Sequence, residues 1–185
     1  MDKSFVVLQI SSGWFMGEIK NNQDSLFFNA SYITNFPDDF MKALLFALGR
    51  WPQDEKWVSS FTVDSEPVIT EWNITVVEER FVFRTSTYNP DRPREGRTDK
   101  VLRLPVKLFL QDFLSEFSSV LNRFGLYGYR SEWGYEFPLS LFLQLADIYN
   151  DSSSLIPIEG DEAENCGLSY DSVDLKKELG YLDCN

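Results

Sequence analysis

The chain has 185 residues, 43% hydrophobic and 16% aromatic, which is enough apolar material for one domain with a sizeable core and no disulfide or metal staple. Its 29 acids against 17 bases leave a net charge of −12, which excludes sequence-independent binding to nucleic acid and capture by anionic membrane through a basic surface. Histidine is absent, which excludes Ser–His–Asp and Cys–His catalysis and every His-ligated metal site.

The first elements read as strands joined by tight turns. Phe5 to Ile10 is an apolar run ended by Ser11-Ser12-Gly13. Trp14 to Lys20 follows, ended by Asn21-Asn22-Gln23-Asp24. Ser25 to Ile33 carries Leu26, Phe28, Ala30 and Tyr32 at period two. Connections this short predict an antiparallel meander. Pro37 then suits the first turn of a helix, and Asp38 and Asp39 complement the positive end of its dipole. Phe40, Met41, Leu44, Leu45 and Leu48 form one apolar face, and Gly49 is placed to close the helix.

Three more strands are predicted at Trp57 to Val63, Val68 to Val77 and Arg80 to Tyr88. The turn Asp64-Ser65-Glu66-Pro67 precedes the last two, and Glu78-Glu79 joins them. Residues 89–100 read as a charged, solvated loop, followed by a short strand at Val101 to Val106. From Lys107 to Phe124, the positions Phe109, Phe113, Phe117, Val120 and Phe124 fall on one helical face, and Gly125 ends it. Tyr127 to Tyr135 reads as a connection rich in glycine and aromatics. A last helix runs from Phe137-Pro138 to about Asp151.

Residues 151–185 differ in kind, with nine acids against Lys176 and Lys177. Residues 1–151 are expected to form a single α+β domain, and 152–185 an acidic, partly ordered C-terminal tail. The predicted fold is a largely antiparallel sheet of six to seven strands, whole or split into two, with two or three packed helices. The two cysteines, Cys166 and Cys184, are compatible with free thiols or with a disulfide that clips the tail. No run of about 20 apolar residues exists for a membrane span, and the start lacks the apolar core of a secretory leader, so a cytoplasmic location is expected.

The sequence holds no P-loop, no GxGxxG, no GxSxG and no HExxH, so no catalytic residue, cofactor or metal is expected. Glu66, Glu71, Glu78, Glu79, Asp38 and Asp39 sit in turns, near a hairpin and at a helix start, where solubility and capping account for them. Asp161, Glu162 and Glu164 lack the spacing of a calcium loop. The best candidate constellation is in the tail, where acids alternate with apolar anchors. Asp161, Glu162, Glu164, Tyr170, Asp171 and Asp174 are the predicted partner-binding residues, the acids steering a basic protein and the ring desolvating the contact.

From Ser31 to Tyr88 the order of features is a strand ending in Ser31-Tyr32, a short helix at Asp39 to Leu48 and a strand at Val58 to Val63. Glu66-Pro67, a strand bearing Trp72, the acidic turn Glu78-Glu79 and a strand at Phe81 to Phe83 follow. This stretch, about a third of the chain, resembles immunity proteins of bacterial contact-dependent growth inhibition and related polymorphic toxin systems. The resemblance implies a small cytosolic protein that binds a cognate toxin domain, often a basic nuclease, and it brings no active site with it. The expected function is therefore a non-enzymatic antidote to a cationic toxin, without direct contact to nucleic acid or membrane. The alternative is an acidic nucleic-acid mimic that blocks a DNA-binding enzyme in antirestriction or phage counter-defence. That role requires acids in two phosphate-like rows. A hydrolase working through carboxylates alone is the remaining rival and requires a carboxylate pair in a deep pocket.

Overall fold

Alternating apolar residues build the strands, and the computed structural model describes residues 3–50, 59–92, 96–151 and 180. Phe5–Ser11 (β1), Trp14–Lys20 (β2) and Ser25–Ser31 (β3) form a three-stranded antiparallel sheet in sequential order. Phe36–Ala47 (α1) follows. Ser60–Asp64 (β4), Ile69–Val77 (β5), Arg80–Tyr88 (β6) and Thr98–Pro105 (β7) form a second antiparallel sheet, also in sequential order. Val106–Trp133 (α2) and Leu139–Asn150 (α3) complete an α+β fold of two sheets and three helices.

The local chemistry accounts for the element ends. Two residues, Glu78 and Glu79, with φ of 50° and 58° make the tight β5–β6 turn. Gly49, at φ 69°, closes α1: its N–H donates to the carbonyl of Phe46 and that of Arg50 to the carbonyl of Leu45. β2 crosses the core with Gly17 opposite Phe28, whose ring folds back over the missing side chain. In β1 the register slips between Val7 and Gln9, so Leu8 and Gln9 are both exposed and the simple alternation is broken.

Sheets and helices meet over an aromatic core. Phe5 is fully buried, with ring centroids of Phe28, Phe40, Phe109, Phe113 and Phe117 between 4.9 and 6.1 Å away. Such offset and edge-on pairs add to the apolar burial, and truncating one such ring to alanine costs about 3–5 kcal/mol. Trp72, Phe61 and Phe83 extend the core under the four-stranded sheet, and Phe36 and Phe40 of α1 bridge the two halves.

α2 lies along β1. Asp112 Oδ2 accepts from the Ser4 amide and hydroxyl, both at 2.7 Å, and Glu116 Oε1 accepts from the Val7 amide at 3.1 Å. At the far end the carbonyl of Glu132 accepts from the Gly13 amide at 2.7 Å. On the other edge of the same sheet, the carbonyl of Asn29 is taken by the Ser65 hydroxyl and that of Ser25 by Lys100 Nζ at 3.4 Å.

Two sequence expectations are corrected. Tyr127 to Tyr135, expected as a connection, is helical up to Trp133. Gly125, at φ 61° and ψ 177°, breaks the helix, but the chain resumes helical winding to Trp133 because Tyr129 and Trp133, one turn apart, are both fully buried. The strand after the charged loop begins at Thr98 rather than Val101. Pairing with the long β6 extends it over Asp99 and Lys100, opposite Ser86 and Thr85. Trp57 and Val58, the expected start of the fourth strand, lie outside the described residues.

Candidate functional site

The predicted partner-binding residues Asp161, Glu162, Glu164, Tyr170, Asp171 and Asp174 lie outside the described residues, as do Cys166 and Cys184. The described residues present a different surface of the same chemical character, at the end of the three-stranded sheet where β1 turns into β2 and β3 stops.

β3 ends at Ser31, so Tyr32 and Ile33 fall past the last ladder position and out of the core, 59% and 50% exposed. Their places are fixed rather than loose. The Tyr32 ring rests on Gly13 of the β1–β2 turn, where an added Cβ would approach it to 3.3 Å. Gly13 has φ of 79°, a conformation that glycine supplies without strain. The Tyr135 hydroxyl donates to the Tyr32 carbonyl at 2.7 Å, and the Tyr135 ring leans on buried Trp133 at 5.8 Å. Trp133 in turn donates from Nε1 to Asn35 Oδ1 at 3.4 Å. Half-buried Trp14 pairs with Ser31 at the start of β2.

Acids frame this apolar group. Glu132 lies beside the β1–β2 turn, its carboxylate 3.4 Å from the Ser12 amide. Asp64 and Glu66 belong to the β4–β5 turn, which is pinned to the same loop because the Asp64 amide donates to the Thr34 hydroxyl at 3.2 Å. Glu136 is exposed and pairs with Arg130 at 2.6 Å. Exposed Tyr32 and Ile33 thus stand beside half-buried Trp14 with Asp64, Glu66 and Glu132 nearby and Arg130 paired to Glu136, an apolar centre with a polar, mostly acidic rim as in protein-binding surfaces.

The other carboxylates singled out in the sequence do not converge. Glu71 on β5 accepts from the Tyr88 hydroxyl at 3.1 Å and from Arg97 at 3.3 Å. That bond to Glu71 pushes the Tyr88 phenol above its usual value. Asp99 takes the Ser86 hydroxyl and lies 3.5 Å from Arg97, and the serine bond, ahead of the arginine charge, holds its carboxyl below the ordinary range. Arg97 is thus engaged by two acids and by the Tyr88 ring at 5.5 Å, which organises this part of the charged loop. These groups edge a cleft of about 520 Å³ on the outer face of the four-stranded sheet. Glu78 and Glu79 occupy the turn at the opposite end of β5. Among the described residues no group of three acidic, cysteine or histidine side chains is arranged to hold a metal ion.

Sequence reasoning passed over Tyr32, Ile33, Trp14 and Tyr135. The available signal was the pair Tyr32-Ile33 standing directly before the polar Thr34-Asn35, an apolar step in what is otherwise turn chemistry. No protein-family model, no curated protein and no solved structure matches the chain.

Proposed function

We propose that the protein is a non-enzymatic immunity-type inhibitor, which acts in the cytoplasm by binding a cationic toxin domain and covering the basic cleft meant for phosphates. The observation that carries this reading is exposed Tyr32 and Ile33 beside half-buried Trp14, with Asp64, Glu66 and Glu132 on the adjoining turns and helix, on a chain of net charge −12. The charge steers a basic partner into encounter, and the fixed rings supply the desolvated contact. The resemblance of Ser31 to Tyr88 to toxin immunity proteins points the same way, and a nuclease is the partner chemistry that −12 suits best. Among the described residues no helix is long and apolar enough to cross a membrane.

The test is the gene neighbourhood, which is expected to hold the gene of a secreted toxin, and binding to that toxin's C-terminal domain, followed by surface plasmon resonance from about 20 to about 150 mM salt. Equimolar protein is expected to stop the toxin's activity, and association to slow at least tenfold over that range while dissociation changes little. Tyr32→Ala is expected to speed dissociation at least tenfold. A toxin that stays fully active in the presence of excess protein overturns the reading, and a salt-independent association rate removes steering from it.

A further inference from the structure

The end of the molecule opposite the aromatic patch gathers three basic side chains around one pocket. Along β2, Trp14 marks one end and Lys20 the other, about 20 Å apart at the usual rise per residue. At the Lys20 end a pocket of about 500 Å³ opens between the two sheets and the start of α2. Lys20, Arg80 and Arg103 line it from β2, β6 and β7, together with the side chains or backbone of Asn21, Asn22 and Gln23. The carboxylates of the flanking turns, Asp24, Glu78 and Glu79, are not among its lining residues.

Two features set this pocket apart. Arg80 and Arg103 have no ion-pair partner among the described residues, although the chain carries a large excess of acid. Arg80 and Arg103 stand on paired neighbouring strands, Arg80 opposite Pro105 and Arg103 opposite Val82, so their spacing is set by the ladder.

We propose that this pocket binds a phosphorylated small molecule of about nucleotide size, seated through its phosphates on Lys20, Arg80 and Arg103. Guanidinium groups recognise phosphate oxygens in paired, planar fashion, and the pocket volume falls in the usual range for small-molecule sites. The class follows from charge. A long polyanion such as nucleic acid would lie along a surface of net charge −12 and be repelled, whereas a compact phosphate engages Arg80 and Arg103 directly and Lys20 in exchange for its pair with Glu18 at 3.7 Å. This inference stands apart from the inhibitor reading and uses none of its residues.

The test is isothermal titration of the full chain with inorganic pyrophosphate at constant ionic strength, with sulfate and a single-stranded oligonucleotide as comparisons. Pyrophosphate is expected to bind saturably, one per chain, more tightly than either comparison. The Arg80→Gln, Arg103→Gln double variant is expected to weaken it at least tenfold while melting close to the parent protein, since both side chains are exposed. Tyr32→Ala is expected to leave it unchanged. Absence of saturable binding up to about 10 mM overturns the proposal, as does undiminished binding in the double variant. Tighter binding of the oligonucleotide overturns the small-ligand class. Should the double variant not fold, Lys20→Gln alone and Arg103→Gln alone decide on the same criterion.

Discussion

Asp39 lies in the first turns of α1, where its charge favours the helix dipole but its burial does not favour the charge. Burial first, and the neighbouring Asp38 second, raise its carboxyl from 3.8 to about 6. An acid whose folded value is raised binds its proton more tightly in the native state than in the unfolded chain. Its contribution to stability is therefore greatest below about pH 4 and is lost as pH rises through about 6. Asp39→Asn is expected to raise the melting temperature at pH 7.5 by a few degrees and to flatten the fall in stability between pH 4 and 6, as read by thermal unfolding across that range. Tyr129 poses the same question for a neutral group. It is fully buried, its hydroxyl has no hydrogen-bond partner among the described residues, and burial pushes the phenol strongly upward. An unpaired buried hydroxyl costs about 1–3 kcal/mol of desolvation. Tyr129→Phe is accordingly expected to leave the melting temperature unchanged or raise it, and a clear fall would reveal a partner for that hydroxyl.

At the scale of elements, Gly17 shows why the first sheet needs its particular sequence. A Cβ there would stand 2.2 Å from Phe28 Cζ and 2.5 Å from the Val6 carbonyl, so a side chain must displace backbone as well as a core ring. Gly17→Ala is expected to cost about 2–3 kcal/mol, a fall of roughly 5–10 °C in melting temperature measured by calorimetry. Elements governed by local chemistry were legible in advance. β2 and β6 run over the residues expected, and α1 follows Pro37, its apolar face and Gly49. What tertiary pairing decides was not legible. The helical turn after Gly125 depends on burying Tyr129 and Trp133 against Phe137 and Phe15, a contact distant in sequence. The early start of β7 depends on β6 as a template. The aromatic patch escaped notice for a related reason. Tyr32 continues the period-two pattern of β3, and only the end of pairing at Ser31 turns it outward.

At the scale of the whole molecule, the buried core and all three described helices end by Asn150, and the acidic segment 152–185 follows. A chain cut after Asp151 is expected to fold and to melt within a few degrees of the parent, since every buried anchor described here is retained. Circular dichroism and thermal unfolding check this. Toxin binding by the cut chain then separates the two acidic surfaces. Loss by orders of magnitude assigns the contact to the tail, and retention assigns it to Tyr32 and its neighbours.

The helix laid along β1 has a further consequence. A sheet edge offers free amides and carbonyls on which another chain can add a strand. Here Asp112 and Glu116 occupy the amides of Ser4 and Val7, and the Glu132 carbonyl occupies that of Gly13. On the far edge the carbonyls of Ser25 and Asn29 are taken by Lys100 and Ser65. An incoming strand would have to displace carboxylates from one side and a lysine from the other. At this sheet, strand addition, a hazard for a chain with 16 phenylalanines, must therefore wait for the peeling away of α2 from β1 or of the neighbouring turn from β3.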